Sequence, residues 1–363
     1  MRIAVLGGGN GAFAAAGDFA LAGHEVRLWR RDRDAVAAHR THGSKILVKD
    51  FKGKHEANLA LVTDDIAAAV KAADLILCPA PATAQPDIAR ALGPHLADGQ
   101  AVFLPPGTFG SLIFAQAAHA AGNRAAVAFA ETGTLPWLTR KHGPFEVAIT
   151  IRAKRLPTGV FPLARKAQAL AAIGKAFPGI IEDCGDALSG ALMNAGPIIH
   201  PPLIVMNAAP LEHFDRWDIH KEGTQKSVRR VTDTLDAERV AIREALGYDA
   251  PHFPLANHYA KDGEEWMYGR GSHDKLTDSG DWREHIVLTQ HRYMLEDTRI
   301  GLSFLASVGE LAGVRTPLVR AFMAIGGAIC GEDFMRTGRT LQGMGLGQYD
   351  KAGLQELLAA GFQ

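Results

Sequence analysis

Cysteine is scarce in this chain. Cys78, Cys184 and Cys330 stand far apart, with no Cys-x-x-Cys and no metal-ligand spacing, so neither a disulfide framework nor a metal centre is expected and the setting reads as reducing and cytoplasmic. Charge of one sign is lacking as well. Lys plus Arg number 39 and Asp plus Glu 39, a balance that argues against bulk attraction to nucleic acid or to an anionic membrane; any bound anion must be held locally. No run of about 18 apolar residues passes without a charge, a proline or a polar break, so no membrane-spanning helix is expected. Met1 to Leu21 is small and apolar in the manner of a signal peptide, yet Gly7 to Gly11 is all Gly or Asn, which breaks such a helix. Internal repeats and low-complexity segments are also missing.

What is present is apolar material for two cores: 363 residues, 47% hydrophobic and 21% charged. The first half alternates. Short apolar runs at Arg2–Leu6, Val26–Trp29, Leu75–Cys78, Ala101–Leu104 and Ala126–Phe129 read as strands. Helical stretches separate them, among them Ile66–Ala73, Pro86–Leu96 and Leu112–Ala121. Alternation of this kind predicts a doubly wound, mostly parallel Rossmann sheet. Beyond Gly143 it weakens to a strand at Phe145–Arg152, a helix at Lys166–Lys175 and a last strand at Gly179–Glu182. After about Gly185 only helical patterns remain, at Ala187–Ile199, Gln225–Ala245, His285–Leu311 and Pro317–Ile329. The expected organisation is an α/β dinucleotide-binding domain over residues 1–184 and an all-α substrate and catalytic domain over 185–363.

Gly7, Gly9 and Ala12 form G-x-G-x-x-A directly after the first strand and at the start of a helix. The first glycine permits a tight turn, the second lets backbone approach a pyrophosphate, and Ala12 lets helix and sheet pack closely. The N–H groups of Asn10, Gly11 and Ala12 would face the phosphates with the helix dipole in their favour. About twenty residues on, an NAD site ordinarily carries an acid for the ribose hydroxyls; here the second strand ends Trp29-Arg30-Arg31-Asp32-Arg33. Arg30 and Arg31 replace a carboxylate that repels a 2′-phosphate with guanidinium forks that hold one, so NADP is expected over NAD. The alternative is a solvated turn in which Asp32 and Asp34 neutralise the arginines. Loops after two later strands, Pro79–Ala82 with Pro81 and Pro105–Thr108, lie on the ligand-binding edge and are expected to border the nicotinamide.

Among 15 histidines His200 stands out, in Asn194-Ala195-Gly196-Pro197-Ile198-Ile199-His200-Pro201-Pro202 with Asn207-Ala208-Ala209 beyond. Pro201 disfavours the α region for His200, which predicts a helix interrupted at the histidine, a suitable place for an acid or base. The alternative is a buried histidine satisfied by a backbone carbonyl.

These segments, with Arg292-Tyr293-Met294-Leu295-Glu296-Asp297 before Gly301-Leu302, Asp333-Phe334-x-x-Thr337-Gly338-Arg339-Thr340-Leu341, Glu131-Thr132 and the Gly-Asn-Gly-Ala turn, resemble the opine dehydrogenase family, the octopine and nopaline dehydrogenase group. The resemblance spans essentially the whole chain. It implies reductive joining of an amino acid to a 2-oxo acid, pyruvate or 2-oxoglutarate, with NAD(P)H. Residue by residue it implies His200 as general acid/base, Asp297 as the acid orienting its imidazole, Arg292 as the holder of the oxo-acid carboxylate, and Asn194 and Asn207 as supports of the His segment or of substrate. Small molecules are the implied partners, and a homodimer is compatible with them. On a regular helix Arg292 and Asp297 stand about 140° apart, so they do not share a face. Other roles open to them are an i,i+4 pair of Arg292 with Glu296 and a partnership of Asp297 with Arg239.

Glycerol-3-phosphate, 6-phosphogluconate-type, ketopantoate and other 2-hydroxyacid dehydrogenases also join a Rossmann half to a helical half. Many of them carry a lysine four residues before an active-site asparagine, whereas Gly190 stands there before Asn194. From another class, the chain could be a silent NADP sensor or partner-binding module, which cofactor oxidation on substrate addition would separate from an enzyme.

Overall fold

The computed structural model describes residues 1–362, which fall into two compact units. The first comprises Met1–Ala80, Ala84–Ala191 and the C-terminal stretch from Leu358; the second comprises Pro81–Thr83 and Leu192–Leu357. The main division thus follows Ala191, beyond the 184/185 boundary read from the sequence, because the short helix Ala187–Ala191 packs back on the sheet: Gly190 lies so close to the Glu131 carbonyl and the Gly159 backbone that a Cβ there would overlap both.

Twelve strands run through the first unit: β1 Arg2–Leu6, β2 Glu25–Trp29, β3 Lys45–Asp50, β4 Gly53–Asn58, β5 Leu61–Thr63, β6 Leu75–Leu77, β7 Ala101–Leu104, β8 Ala128–Thr132, β9 Trp137–Gly143, β10 Glu146–Arg152, β11 Leu156–Phe161 and β12 Ile181–Asp186. Eight of them form one sheet in the order β12-β11-β8-β7-β6-β1-β2-β5. All its pairs are parallel except β8 with β11. The centre follows from composition. β6 and β7 are apolar throughout and buried on both faces, as parallel strands covered by helices must be.

The remaining four strands make a second sheet, β4-β3-β10-β9, that the sequence reading did not anticipate. Phe145–Arg152, read from the sequence only as a strand after the alternation weakens, is β10 and pairs with β9 and β3. The apolar run Ile46-Leu47-Val48 and the turn at Phe51–Gly53 were the available signals for the β3–β4 hairpin. This sheet covers the helix Asn10–Leu21, where Val48 occupies the space that a side chain at Gly17 would need.

The second unit is helical. Its longer members are Gly196–Val205, Lys226–Ala245, Leu302–Ala312 and Pro317–Cys330, and no strand follows Asp186 among the described residues. The expected interruption at His200 does not occur. The Gly196–Val205 helix runs through His200, Pro201 and Pro202, and the break comes earlier, at Leu192–Ala195. Two interior prolines cost a helix backbone bonds, but Pro197, Ile198, Pro201, Pro202, Leu203 and Ile204 are all buried, and that packing outweighs the local preference. The second departure is at Tyr293–Gly301, a nine-residue π-helix where the sequence predicted a regular one.

Candidate active site

His200 is held from two sides. Its Nδ1 lies 2.8 Å from Asp297 Oδ2, and the Tyr293 ring stacks on the imidazole with centroids 3.7 Å apart and planes 14° from parallel. Asp297 reaches the histidine because the π-helix and the Gly196–Val205 helix pack with almost no side-chain spacer. A Cβ on Gly196 would overlap Asp297 Oδ1, and one on Gly301 would overlap the Pro197 ring. The π register is confirmed at its end, where Leu302 N–H donates to the carbonyl of Asp297, five residues back. A wider turn of this kind brings Asp297 toward the side from which Arg292 projects, so the 140° separation expected of a regular helix does not hold.

Burial pushes Asp297 up to about 7, against the pull of Arg292 and His291. Burial, with Asp297 beside it, pushes Glu296 to about 7 as well. Glu296 Oε1 accepts the Ala82 N–H at 2.8 Å and Arg339 donates to the Ala82 carbonyl at 3.0 Å, which is how Pro81–Thr83 comes to belong to the second unit. Arg292 is open to solvent, and its guanidinium lies over the Tyr293 ring at 4.8 Å. Desolvation works against its charge, but Tyr293, Glu296, Asp297 and Glu284 outweigh it and hold its pKa above the ordinary value. The alternative pairings do not form. Glu296 binds Ala82 instead of forming a salt bridge with Arg292, and Arg239 binds Asp236 at 2.6 Å and the Leu192 and His252 carbonyls instead of Asp297.

The two asparagines act on backbone. Asn194 Oδ1 accepts the Gly196 N–H at 3.0 Å, at the start of the His200 helix. Asn207 donates to the Leu203 and Gly223 carbonyls and accepts from the Trp217 indole at 3.1 Å, so its amide supports the His segment.

In the first unit Gly7 has φ +128°, a turn open to glycine, and its N–H donates to the Trp29 carbonyl, tying the turn to the end of β2. The Asn10–Leu21 helix begins at Gly9 with no side-chain cap, and nothing crowds the space a Cβ would take there, as a turn that cradles phosphate requires. Asn10 Oδ1 accepts the Lys141 N–H, and Gly11 and Ala12 are buried in the first turn. Arg30 packs against Gly8. Among the described residues its only hydrogen bond is to the Ala35 carbonyl at 3.3 Å, and its buried Nε has no partner. Arg31 is exposed and 3.6 Å from Asp87, while Asp32 caps the following helix by accepting the Ala35 N–H. Asp32 is therefore spent on the backbone and Arg30 is not neutralised by a salt bridge. The residues present fit a dinucleotide.

Residues 183–330 match the family model described as NAD/NADP octopine/nopaline dehydrogenase, alpha-helical domain, and residues 2–105 match that of the NAD-dependent glycerol-3-phosphate dehydrogenase N-terminus. An opine dehydrogenase of Arthrobacter sp. (strain 1C) is 28% identical over 357 residues, covering 97% of each chain. Over nearly its whole length the chain is thus similar to an opine dehydrogenase. Two solved structures share its fold. An octopine dehydrogenase with NADH and L-arginine matches at TM-score 0.72 and 17% identity, over 100% of this chain and 99% of that one. A yersinopine dehydrogenase with NADP+ bound matches at TM-score 0.66 and 14% identity, over 99% and 97%.

Sequence reasoning missed four contributors to the site. Tyr293 stood in a quoted motif without a role, Glu296 only as a pairing open to Arg292, Arg339 lay inside another motif without a role, and Gly196 adjoined Pro197. Only the packing of one helix on another shows what each touches. Among the described residues no helix is long and apolar enough to cross a membrane.

Proposed function

We propose that this chain catalyses NAD(P)H-dependent reductive condensation of an amino acid with a 2-oxo acid, pyruvate or 2-oxoglutarate, to a secondary amine. The observation that carries the reading is the His200–Asp297 pair, 2.8 Å apart, in a chain alignable with an opine dehydrogenase over nearly its full length. When bound, the dinucleotide supplies the hydride that reduces the imine carbon. The Gly7–Ala12 turn binds its pyrophosphate, and Arg30 favours the 2′-phosphate of NADPH; Pro81 borders the nicotinamide.

Condensation requires the amino group to lose a proton and the carbonyl oxygen to leave as water, so one group must take a proton and give it back. His200 does both. With Asp297 ionised and accepting from Nδ1–H, Nε2 is the nitrogen that takes the ammonium proton and returns it to the departing hydroxyl. Tyr293, flat against the ring, removes its freedom to rotate. Arg292 holds the oxo-acid carboxylate; among the described residues it forms no salt bridge that would compete.

The test is a screen of NADPH and NADH oxidation with single amino acids against pyruvate and 2-oxoglutarate. Oxidation that needs both an amino acid and an oxo acid, with a secondary amine as product, is expected. Oxidation with an oxo acid alone would make this a hydroxyacid dehydrogenase instead.

A further inference from the structure

Lys141 lies in β9, in the sheet that the sequence did not foretell, and its side chain reaches the same glycine turn that Arg30 packs on. Its Nζ is 3.3 Å from the Gly8 carbonyl, a long and solitary hydrogen bond, and 3.8 Å from the centroid of the Phe13 ring. Arg30 approaches the same residues: its Nε is 2.8 Å from where a Gly8 Cβ would stand, and its guanidinium carbon is 5.5 Å from the Phe13 centroid.

Two cations thus meet at Gly8 and share one aromatic ring, and among the described residues neither has a salt-bridge partner. Of the acids in the adjoining turns, Asp32 is committed to the Ala35 N–H, Asp64 to Arg33 and Asp87 to Arg31 and Arg90, while Asp34 is exposed and pairs with neither cation. Both side chains are half-buried. Desolvation lowers the pKa of each, and the charge of Arg30 lowers that of Lys141 further. Like charges brought together at the cost of desolvation, with an Nε left unpartnered, are an arrangement that an anion completes.

We propose that Lys141 and Arg30 form a two-cation clamp for the 2′-phosphate of NADPH, with Lys141 the second determinant of cofactor choice. The clamp stands at the end of β2, where the ribose hydroxyls of a dinucleotide are ordinarily bound, whereas the diphosphate belongs to the helix N-terminus beyond Gly9. Phe13 serves both cations as a floor, so the lysine can be held in place without a carboxylate that would compete with the phosphate. The proposal rests on the NADPH reading above and adds to it a residue from a strand more than a hundred positions away.

The experiment measures dissociation constants by isothermal titration for NADPH, NADH, adenosine 2′,5′-bisphosphate and adenosine 5′-monophosphate, on the wild type, Lys141→Met and Lys141→Arg. Methionine keeps the stem on Phe13 and arginine keeps the charge; circular dichroism and thermal melting verify the fold, with Lys141→Gln in reserve should methionine disturb it. Lys141→Met is expected to weaken NADPH and the bisphosphate by about tenfold, the usual value of a lost charge-assisted bond, and to leave NADH and the monophosphate within about twofold. Lys141→Arg is expected to restore most of the loss. A wild type that prefers NADPH, with Lys141→Met weakening both dinucleotides alike or neither, overturns the assignment of Lys141 and leaves the NADPH reading standing. A wild type that prefers NADH overturns both.

Discussion

Replacing Gly196 by alanine tests the central claim without touching a side chain that does chemistry. The new Cβ would lie well inside van der Waals contact of Asp297 Oδ1, with Asn194 Oδ1 close on another side, so the carboxylate must yield. It can retreat only away from the Gly196–Val205 helix, and so away from His200. A retreat of about 1 Å stretches the 2.8 Å bond to His200 Nδ1 beyond hydrogen-bond range. The loss of one charge-assisted bond, about 1.5 to 3 kcal/mol, predicts a fall in kcat of about 10 to 10². A misplacement of about 1 Å in a catalytic group costs about the same, near 10²-fold. The fold should survive, since alanine suits a helix better than glycine. Steady-state oxidation of NADPH gives kcat, titration gives the cofactor Kd, and Asp297→Asn completes a double-mutant cycle. The two substitutions should be strongly non-additive, the pair no slower than Asp297→Asn alone, because both remove one interaction. A folded Gly196→Ala protein with wild-type kcat, or additive losses, would refute the view that Asp297 works by orienting His200.

His200→Ala should leave the NADPH Kd unchanged while turnover falls by about 10² to 10⁴, the usual contribution of a positioned acid/base; survival of turnover in a folded variant would make His200 structural. Arg292→Ala should raise the oxo-acid KM by about tenfold or more and leave the cofactor Kd alone, and unaltered oxo-acid kinetics would remove the role given to it. The pH dependence of stability follows from Glu296 and Asp297. Both are raised to about 7 in the folded chain, so it retains protons that the unfolded chain releases at lower pH. Their contribution to stability is therefore complete at acid pH, below the ordinary carboxylate range, and is lost as pH rises through about 7. Glu296→Gln keeps an acceptor for the Ala82 N–H and removes one titration, so the drop in Tm between about pH 5 and pH 8 should be shallower than in the wild type. An identical slope would count against the raised pKa of Glu296.

The sequence by itself determined whatever is written in local period and turn chemistry. Apolar runs such as Ala101–Leu104 alternate with helical stretches, and Gly7-Gly8-Gly9-Asn10-Gly11 interrupts the first strand and helix; these patterns fix a Rossmann half because strand, turn and helix each depend on near neighbours. The change to helices after Asp186 was legible for the same reason. His200, Asp297 and Arg292 could be picked out as types in an order, but not as a geometry.

Tertiary structure decided the rest. Period and propensity say what a segment can form and not what covers it, so the β3–β4 hairpin and the pairing of β10 appear only when the second sheet closes over the Asn10–Leu21 helix. Pro201 and Pro202 argue locally for a break at His200, and buried packing keeps the helix continuous. The π register at Tyr293–Gly301 is invisible to a 3.6-residue reading. It arises where Gly301 meets Pro197 and Gly196 meets Asp297, and there the histidine, its acid and the arginine acquire their common side. Lys141 and Arg30 are 111 residues apart in the chain, and their meeting at Gly8 depends on the packing of one sheet over a helix, which no local pattern encodes.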